Sequence, residues 1–482
     1  MLQCSRRRVG RADGKGAEFA PHTRTEYVSP PLDSSSREPT AAEELRALVV
    51  LSWPITIAQL LTMALGLVET AIVGRVSTTE LAGVAIGRTV AFSASMVAIG
   101  LSAGLEPLAS QAVGAGETDR AWAALVTTLK AVLGLWPSLM ISALALSYLL
   151  EPLGIDHEIA TRARDYEIGQ APGLLLIVVF FAAKTFLQAH RKTSPALLAG
   201  VVANVVNVVV CNLLVRGDDA LASVGLRGVG LPRLGAFGAG MAFSVACVVL
   251  AAFVLQSAWT LRPAVRIARV PLSLSLRLGI PIGLQLLAEV GVFTVGAVLV
   301  ARFGAAAASA HQVAIGLASF TYMGASGVSG ATAVRVGYAV GQARPPRRAG
   351  LLGIALGAAF MSLGAMTFGL IPGPLVRLFT TDAEAVRLGT SLLLIAAFFQ
   401  LFDGVQAVAA GALRGAGDVR FPFVVIVGGY WGIGFPLAYV FGFVLRFEAK
   451  GIWWGLTSGL VCVAVLLLAR FVKISGRAIA RV

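Results

Sequence analysis

Twelve stretches of this chain are apolar for long enough to cross a bilayer, and this constrains the fold more than any other feature. In the first half they run at about 48–74, 82–104, 121–150, 166–189, 195–215 and 236–261. The second half adds about 272–301, 307–334, 349–371, 386–413, 421–445 and 451–473. A crossing helix needs roughly 20 residues, and Gly or Pro within it is tolerated where neighbouring helices satisfy the freed backbone groups. Of the 482 residues 57% are hydrophobic and 13% charged, well below the roughly 25% charge of soluble domains. The expected fold is an all-α polytopic membrane protein with twelve transmembrane helices. Five tryptophans (Trp53, Trp122, Trp259, Trp453, Trp454) lie near the run ends, where interfacial anchors belong.

The formal net charge of +14 would suit a nucleic-acid partner, but the positions of the basic residues argue otherwise. Of 39 Lys and Arg, 24 fall on the side of the termini, 11 on the opposite side, and four (Arg88, Lys130, Lys184, Arg335) within the expected helices. Positive charge collects on the cytoplasmic side of membrane proteins. Both termini are therefore expected in the cytoplasm, in a plasma (inner) membrane, with lipid and no nucleic acid as partners. Residues 1–45 have no apolar core and do not read as a signal peptide; a disordered cytoplasmic tail is expected. Cys4 lies in this tail. Cys211, Cys247 and Cys462 lie in apolar runs with no metal or disulfide spacing and read as small hydrophobes.

An internal repeat divides the chain. Pro54 matches Pro281, Arg75 matches Arg302, Gly114 matches Gly341 and Pro195 matches Pro422, all at one offset, and Val84–Gly87 recurs almost in step as Val313–Gly316. Each repeat holds six runs, an even number, so both copies keep the same orientation in the membrane. Two pseudo-symmetric six-helix lobes are expected, at 46–261 and 278–482 (the latter with a basic cytoplasmic tail), joined by a basic cytoplasmic linker at 262–277.

Three acids lie well inside the runs: Glu69, Glu289 and Asp403. Insertion of an ionised group costs at least about 2.5–3.5 kcal/mol, so such residues mark ion or substrate paths. Glu289 lies eight residues past Pro281 and Asp403 eleven before Arg414, roughly 12 and 16 Å along their helices. Gln285 shares the Glu289 face, and Gln400 and Gln406 flank Asp403 at helical spacing. Two carboxylates with amides around them could exchange a proton or hold a small cation such as Na⁺. Glu69 reads either as a further coupling acid or as a structural one paired with Arg88, Lys184 or Arg335. Asn204 and Asn207 suit hydrogen bonds between helices, with ion or substrate binding as the alternative. His311 reads as a satisfied interfacial histidine, and Glu106 as an interfacial acid at a helix end.

There is no GxSxG with a partner His, no HExxH and no Walker loop, so enzymatic function is not expected and uphill transport would draw on an ion gradient, with no cofactor beyond the coupling ion. Intramembrane proteolysis would require two Asp residues in short motifs that are absent.

The block Leu67-Val-Glu-Thr-Ala-Ile-Val-Gly-Arg75 resembles the opening of the multidrug and toxic compound extrusion (MATE) family, within it the NorM-type branch. So do Gly279-Ile-Pro-Ile through Glu289, Ser309-Ala-His-Gln-Val-Ala314 and Ala333-Val-Arg-Val-Gly337. Phe399-Gln-Leu-Phe-Asp403 and Leu413-Arg-Gly-Ala-Gly-Asp418 are similar to the family's tenth-helix block. The resemblance spans the chain after residue 45. It implies a V-shaped pair of six-helix lobes that alternates access and exports amphipathic organic cations against Na⁺ or H⁺. The family's coupling acids fall on Glu289 and Asp403, and its first-helix acid, usually Asp, is Glu69 here. A monomer is expected. The alternative within the same superfamily is a flippase for lipid-linked oligosaccharide precursors, whose cavities favour Arg and Lys.

Overall fold

The computed structural model describes residues 39–223, 225–264 and 268–482. Among them the fold is helical throughout, and twelve long helices account for nearly all of it. The first six are α1 (Ala41–Val73), α2 (Thr78–Gly114), α3 (Thr118–Tyr148), α4 (His157–Ala189), α5 (Ser194–Arg216) and α6 (Gly235–Trp259). The second six are α7 (Leu272–Ala301), α8 (Ala305–Gly341), α9 (Arg347–Leu370), α10 (Ala383–Gly415), α11 (Arg420–Val444) and α12 (Glu448–Ile474). Eleven are apolar and long enough to cross a membrane. The remaining one, α8, is 37 residues long and built largely of Ala, Gly and Ser, most of them buried in its last half. That half faces protein rather than lipid, which fits the lower hydropathy of the helix.

The start of α1 moves one expected boundary, because residues 41–45 open a helix and Glu44 within them is buried. The rest of the expected tail lies almost wholly outside the described residues. Likewise, the last third of the expected linker is already helix, since α7 begins at Leu272.

Helix ends follow local chemistry. Ser77 and Asp156 accept hydrogen bonds from the first free backbone N–H groups of α2 and α4, and Asp382 does so for α10, as N-caps do. Prolines sit inside α1, α2, α3, α4 and α7, as membrane helices tolerate. Helix α11 widens into π-helical turns at Gly428–Gly434 and Val440–Val444. The first of these stretches is half glycine.

The packing repeats as the sequence does. In the first lobe α4 packs between α2 and α6; in the second α10 packs between α8 and α12. The lobes meet on the face where α1 begins and α12 ends, called here the terminal face. There α2 and α7 touch backbone to backbone. A Cβ on Gly100 would stand 2.2 Å from the Gly283 nitrogen, and one on Gly104 2.8 Å from the Gly279 Cα. Without a hydrophobic force between helices in lipid, such small-residue contacts carry association through close van der Waals packing. Farther along α2 and α8, Gly341 comes against the Gln111 carbonyl, with room for only 2.2 Å to a Cβ.

Polar contacts join the lobes on the same face. Glu44 of α1 takes two bonds from Arg335 of α8, at 2.7 and 2.5 Å. Glu106 of α2 pairs with Arg414 of α10 at 3.1 Å, and Gln111 donates to the Gly415 carbonyl at 3.0 Å. Glu106 is thus a buried inter-lobe partner, eight residues before the end of its helix, and not the expected interfacial acid. The segment after α12 crosses the boundary too: Arg481 pairs with Glu117 at 2.7 Å and the Val482 nitrogen donates to Gln111 at 3.0 Å. The Arg481 hydrogen bond, assisted by the charge of Arg481 and by Arg120, holds the partly exposed Glu117 carboxyl below the ordinary carboxylate range.

The Gly100 contact leads to a prediction. Gly100→Leu should wedge α2 from α7, and labelling of Ser326→Cys by a water-soluble maleimide from the terminal face should rise about tenfold. The control is Gly134→Leu, where a side chain meets nothing within 4 Å. Equal labelling in both would show that this contact does not close the face.

Candidate functional site: a cavity between the lobes

Beyond Gly100 and Gly283 the same two helices line a cavity of about 560 Å³. Its walls are mostly apolar and aromatic, with Phe92 and Met96 from α2, Phe181 from α4, Phe293 from α7 and Phe399 from α10. Two carboxylates, Glu289 and Asp403, enter it from the second lobe. Phe293 makes edge contacts with Phe399 at 6.0 Å and Tyr430 at 5.7 Å between ring centres, which ties α7 to α10 and α11 beside the acids. Behind it the wide turn of α11 lets Trp431 donate to the Ala288 carbonyl at 3.0 Å, beside Glu289. π-helical turns often occur at functional sites.

Toward the terminal face lies a smaller, more polar chamber of about 180 Å³ that shares Gln59, Phe181, Glu289 and Tyr322 with the large cavity. Gln285 and Gln406 line it, and an amide oxygen of each makes no hydrogen bond among the described residues. These oxygens and the Glu289 carboxylate give a hard cation or a proton several acceptors in the chamber, while Asp403 lines only the large cavity beside it. The chamber also holds Lys184, Glu106 and Arg414. Lys184 is buried; its ammonium donates to Gln59 Oε1 at 3.0 Å and lies 4.7 Å from the Phe181 ring centre. Gln59 in turn donates to Ser326 of α8 at 3.2 Å, bridging the lobes.

The structure separates the other candidates from this site. Gln400 is buried but turns toward Gly364 of α9, which has no Cβ in its way, and lines neither cavity. Glu69 is closed inside the first lobe, where one carboxylate oxygen accepts from the Tyr166 hydroxyl at 2.7 Å and the other has no partner among the described residues. The Asn207 side chain lies beside it. Arg88 makes no ion pair with Glu69; it donates to the Gly66 carbonyl at 2.7 Å and to Thr70. Asn204 and Asn207 donate to the carbonyls of Leu61 and Leu65 at 2.8 and 3.2 Å, tying α5 to α1. His311 is buried at the cavity wall and accepts from the Trp453 indole at 3.1 Å.

Two buried acids escape a reading by apolar runs. Glu44 falls in the polar stretch before the first run. Glu167, buried in α4 with no carboxylate hydrogen bond among the described residues, sits at the edge of its run. Helix α4 extends about two and a half turns beyond the apolar part, through Arg162, Arg164 and Asp165.

The sequence was also compared with known proteins. The MatE family model matches twice, over residues 54–213 and 281–440, so its two copies start at the repeated Pro54 and Pro281. A probable multidrug resistance protein NorM from Deinococcus radiodurans is 36% identical over 447 residues, covering 89% of this chain and 95% of that one. The protein of the same name from Rhodopseudomonas palustris is 34% identical over 452 residues, 91% and 93% of the two chains. Among solved structures, the eukaryotic MATE transporter AtDTX14 superposes with a TM-score of 0.78 at 21% identity, over 90% of this chain and 97% of that one. A multidrug resistance MATE family transporter of the MOP superfamily, in an outward-facing conformation, gives 0.77 at 19% identity, over 91% and 99%. With its doubled family match, its full-length relatives and its two six-helix lobes around an acidic cleft, this integral membrane protein belongs to the MatE family.

Proposed function

We propose that the protein is a secondary active efflux antiporter, exporting amphipathic organic cations in exchange for Na⁺ or H⁺ by alternating access. The observation that carries this is the pairing of Glu289 and Asp403 on one wall of an apolar, aromatic cavity of about 560 Å³. Acids held in a poorly hydrated cleft attract any cation that restores neutrality, and aromatic faces add to the attraction of an organic cation. A coupling ion and a drug cation then compete for the same carboxylates. By linkage, each weakens the binding of the other, so an ion arriving from one side expels a drug to that side. Glu69, closed off with Tyr166 and Asn207, fits the coupling ion and not the drug. The names of the NorM relatives support multidrug export as the role.

The basic excess on the terminal face supports a cytoplasmic location for both termini. With that orientation the closed face is the inner one, and the cavity faces outward, as suits drug release. Exposed apolar side chains such as Leu363, Met366 and Leu370 on α9 suit direct contact with lipid around a monomer in the plasma membrane. A flippase for lipid-linked precursors is less well supported, because the charged groups of the large cavity are Glu289 and Asp403. Arg414 lies outside that cavity and is tied to Glu106.

Glu289→Gln and Asp403→Asn should each lower efflux of a cationic dye by about tenfold or more at unchanged membrane levels; near-wild-type efflux by both would remove the coupling site from these residues. In everted vesicles, dye transport should respond when a Na⁺ or a proton gradient is imposed alone, and the effective gradient names the ion. Transport indifferent to both would end the antiport reading. Translocation of a lipid-linked sugar without dye efflux would favour the flippase.

A further inference from the structure

The small chamber contains more than spare acceptors. It brings together an acid of the first lobe that helps close the terminal face, Glu106, an acid of the second lobe that faces the large cavity, Glu289, and one guanidinium, Arg414. We propose that Arg414 is a positioning residue shared between these two acids. When Glu289 and Asp403 carry the coupling cation, Arg414 stays on Glu106 and the terminal face is held shut. When they are empty and charged, Arg414 turns toward Glu289, releases Glu106 and lets the lobes part on that side.

Several observations support this exchange. Arg414 holds Glu106 through Nε alone, at 3.1 Å, while Nη2 donates to Ser329 at 3.3 Å. The pair is thus single-bonded and long, unlike the two-bonded contact of Arg335 with Glu44 at 2.7 and 2.5 Å. A guanidinium has five N–H donors, so Arg414 keeps donors for a further acceptor in the chamber it shares with Glu289. It also shares α10 with Asp403, eleven residues earlier. The other cation of the chamber, Lys184, is fixed to the opposite wall by Gln59 and by the rings of Phe180 and Phe181. Tyr322, which also lines the chamber, carries no charge to compete. Arg414 is therefore the cation placed to respond when Glu289 gains or loses its ion.

The inference rests on the proposed ion site, and the test separates the two. Apparent affinity is measured on the full chain in nanodiscs by tryptophan fluorescence, since Trp431 bonds beside Glu289. Na⁺ is titrated at fixed pH, and pH is titrated without Na⁺. Glu106→Gln frees Arg414 to compete with the ion and should weaken affinity about tenfold. Arg414→Gln removes the competitor and should strengthen it about tenfold. The double variant leaves neither member of the pair without its partner, so it is the one best placed to fold, and it should resemble Arg414→Gln. A pair that merely braced the lobes would be lost equally in all three variants, and affinity would then move in one direction throughout. That result would overturn the proposal. If the ion response survives in a Glu289→Gln, Asp403→Asn protein, the ion site itself is wrong, and the exchange falls with it.

Discussion

The backbone contact between α2 and α7 governs most of what the molecule can do. Four glycines, Gly100 and Gly104 against Gly279 and Gly283, bring two helices of different lobes closer than any side chain would allow. Because lipid tails are as apolar as leucine, close approach of this kind is what holds helices together in a membrane. The contact occupies only one end of each helix. Past it the same helices present Phe92, Met96 and Phe293 to open space, so one side is closed and the other hollow.

Charge is distributed along this axis in an order that suits exchange. The hollow part displays acids, the chamber below it mixes acids with Lys184 and Arg414, and the closed face is laced by paired charges. Removing one partner of a buried pair costs about 3–5 kcal/mol, because the other is left uncompensated. Such pairs are therefore poor places for random change and good places for a controlled one. Cavity walls carrying unpaired acids and a seal carrying paired ones do different work with the same residue types.

Much of this was legible in the sequence. The repeat of Pro54 at Pro281 and the twelve runs describe the two lobes, and counting along the helix from Pro281 and Arg414 brought Glu289 and Asp403 to a common depth. What stayed hidden depends on partners distant in the chain. Glu106 looked interfacial because Arg414 lies on another helix. Gln400 and Gln406 flank Asp403 at equal spacing, yet only Gln406 reaches the chamber, since the missing Cβ of Gly364 lets Gln400 turn away. Glu44 was hidden because α1 begins before its apolar run, and Glu167 because it stands at the second residue of its run, where an acid reads as a boundary.

The contacts of the closed face also bear on how the protein is made. Glu44 meets Arg335 across 291 residues of chain, Glu106 meets Arg414 across 308, and Gln111 meets Val482 across 371. During synthesis most of the first lobe's core, around Phe180 and Leu250, can assemble while the second lobe is still emerging, and Leu278 and Ile282 of α7 join it later. Non-local contacts form late because long loops must close first. The seal is therefore among the last parts to form, and a half-made chain in the membrane exposes the unpaired acids Glu44 and Glu106 until α8 and α10 arrive. That interval is when quality-control proteases would find this protein most open.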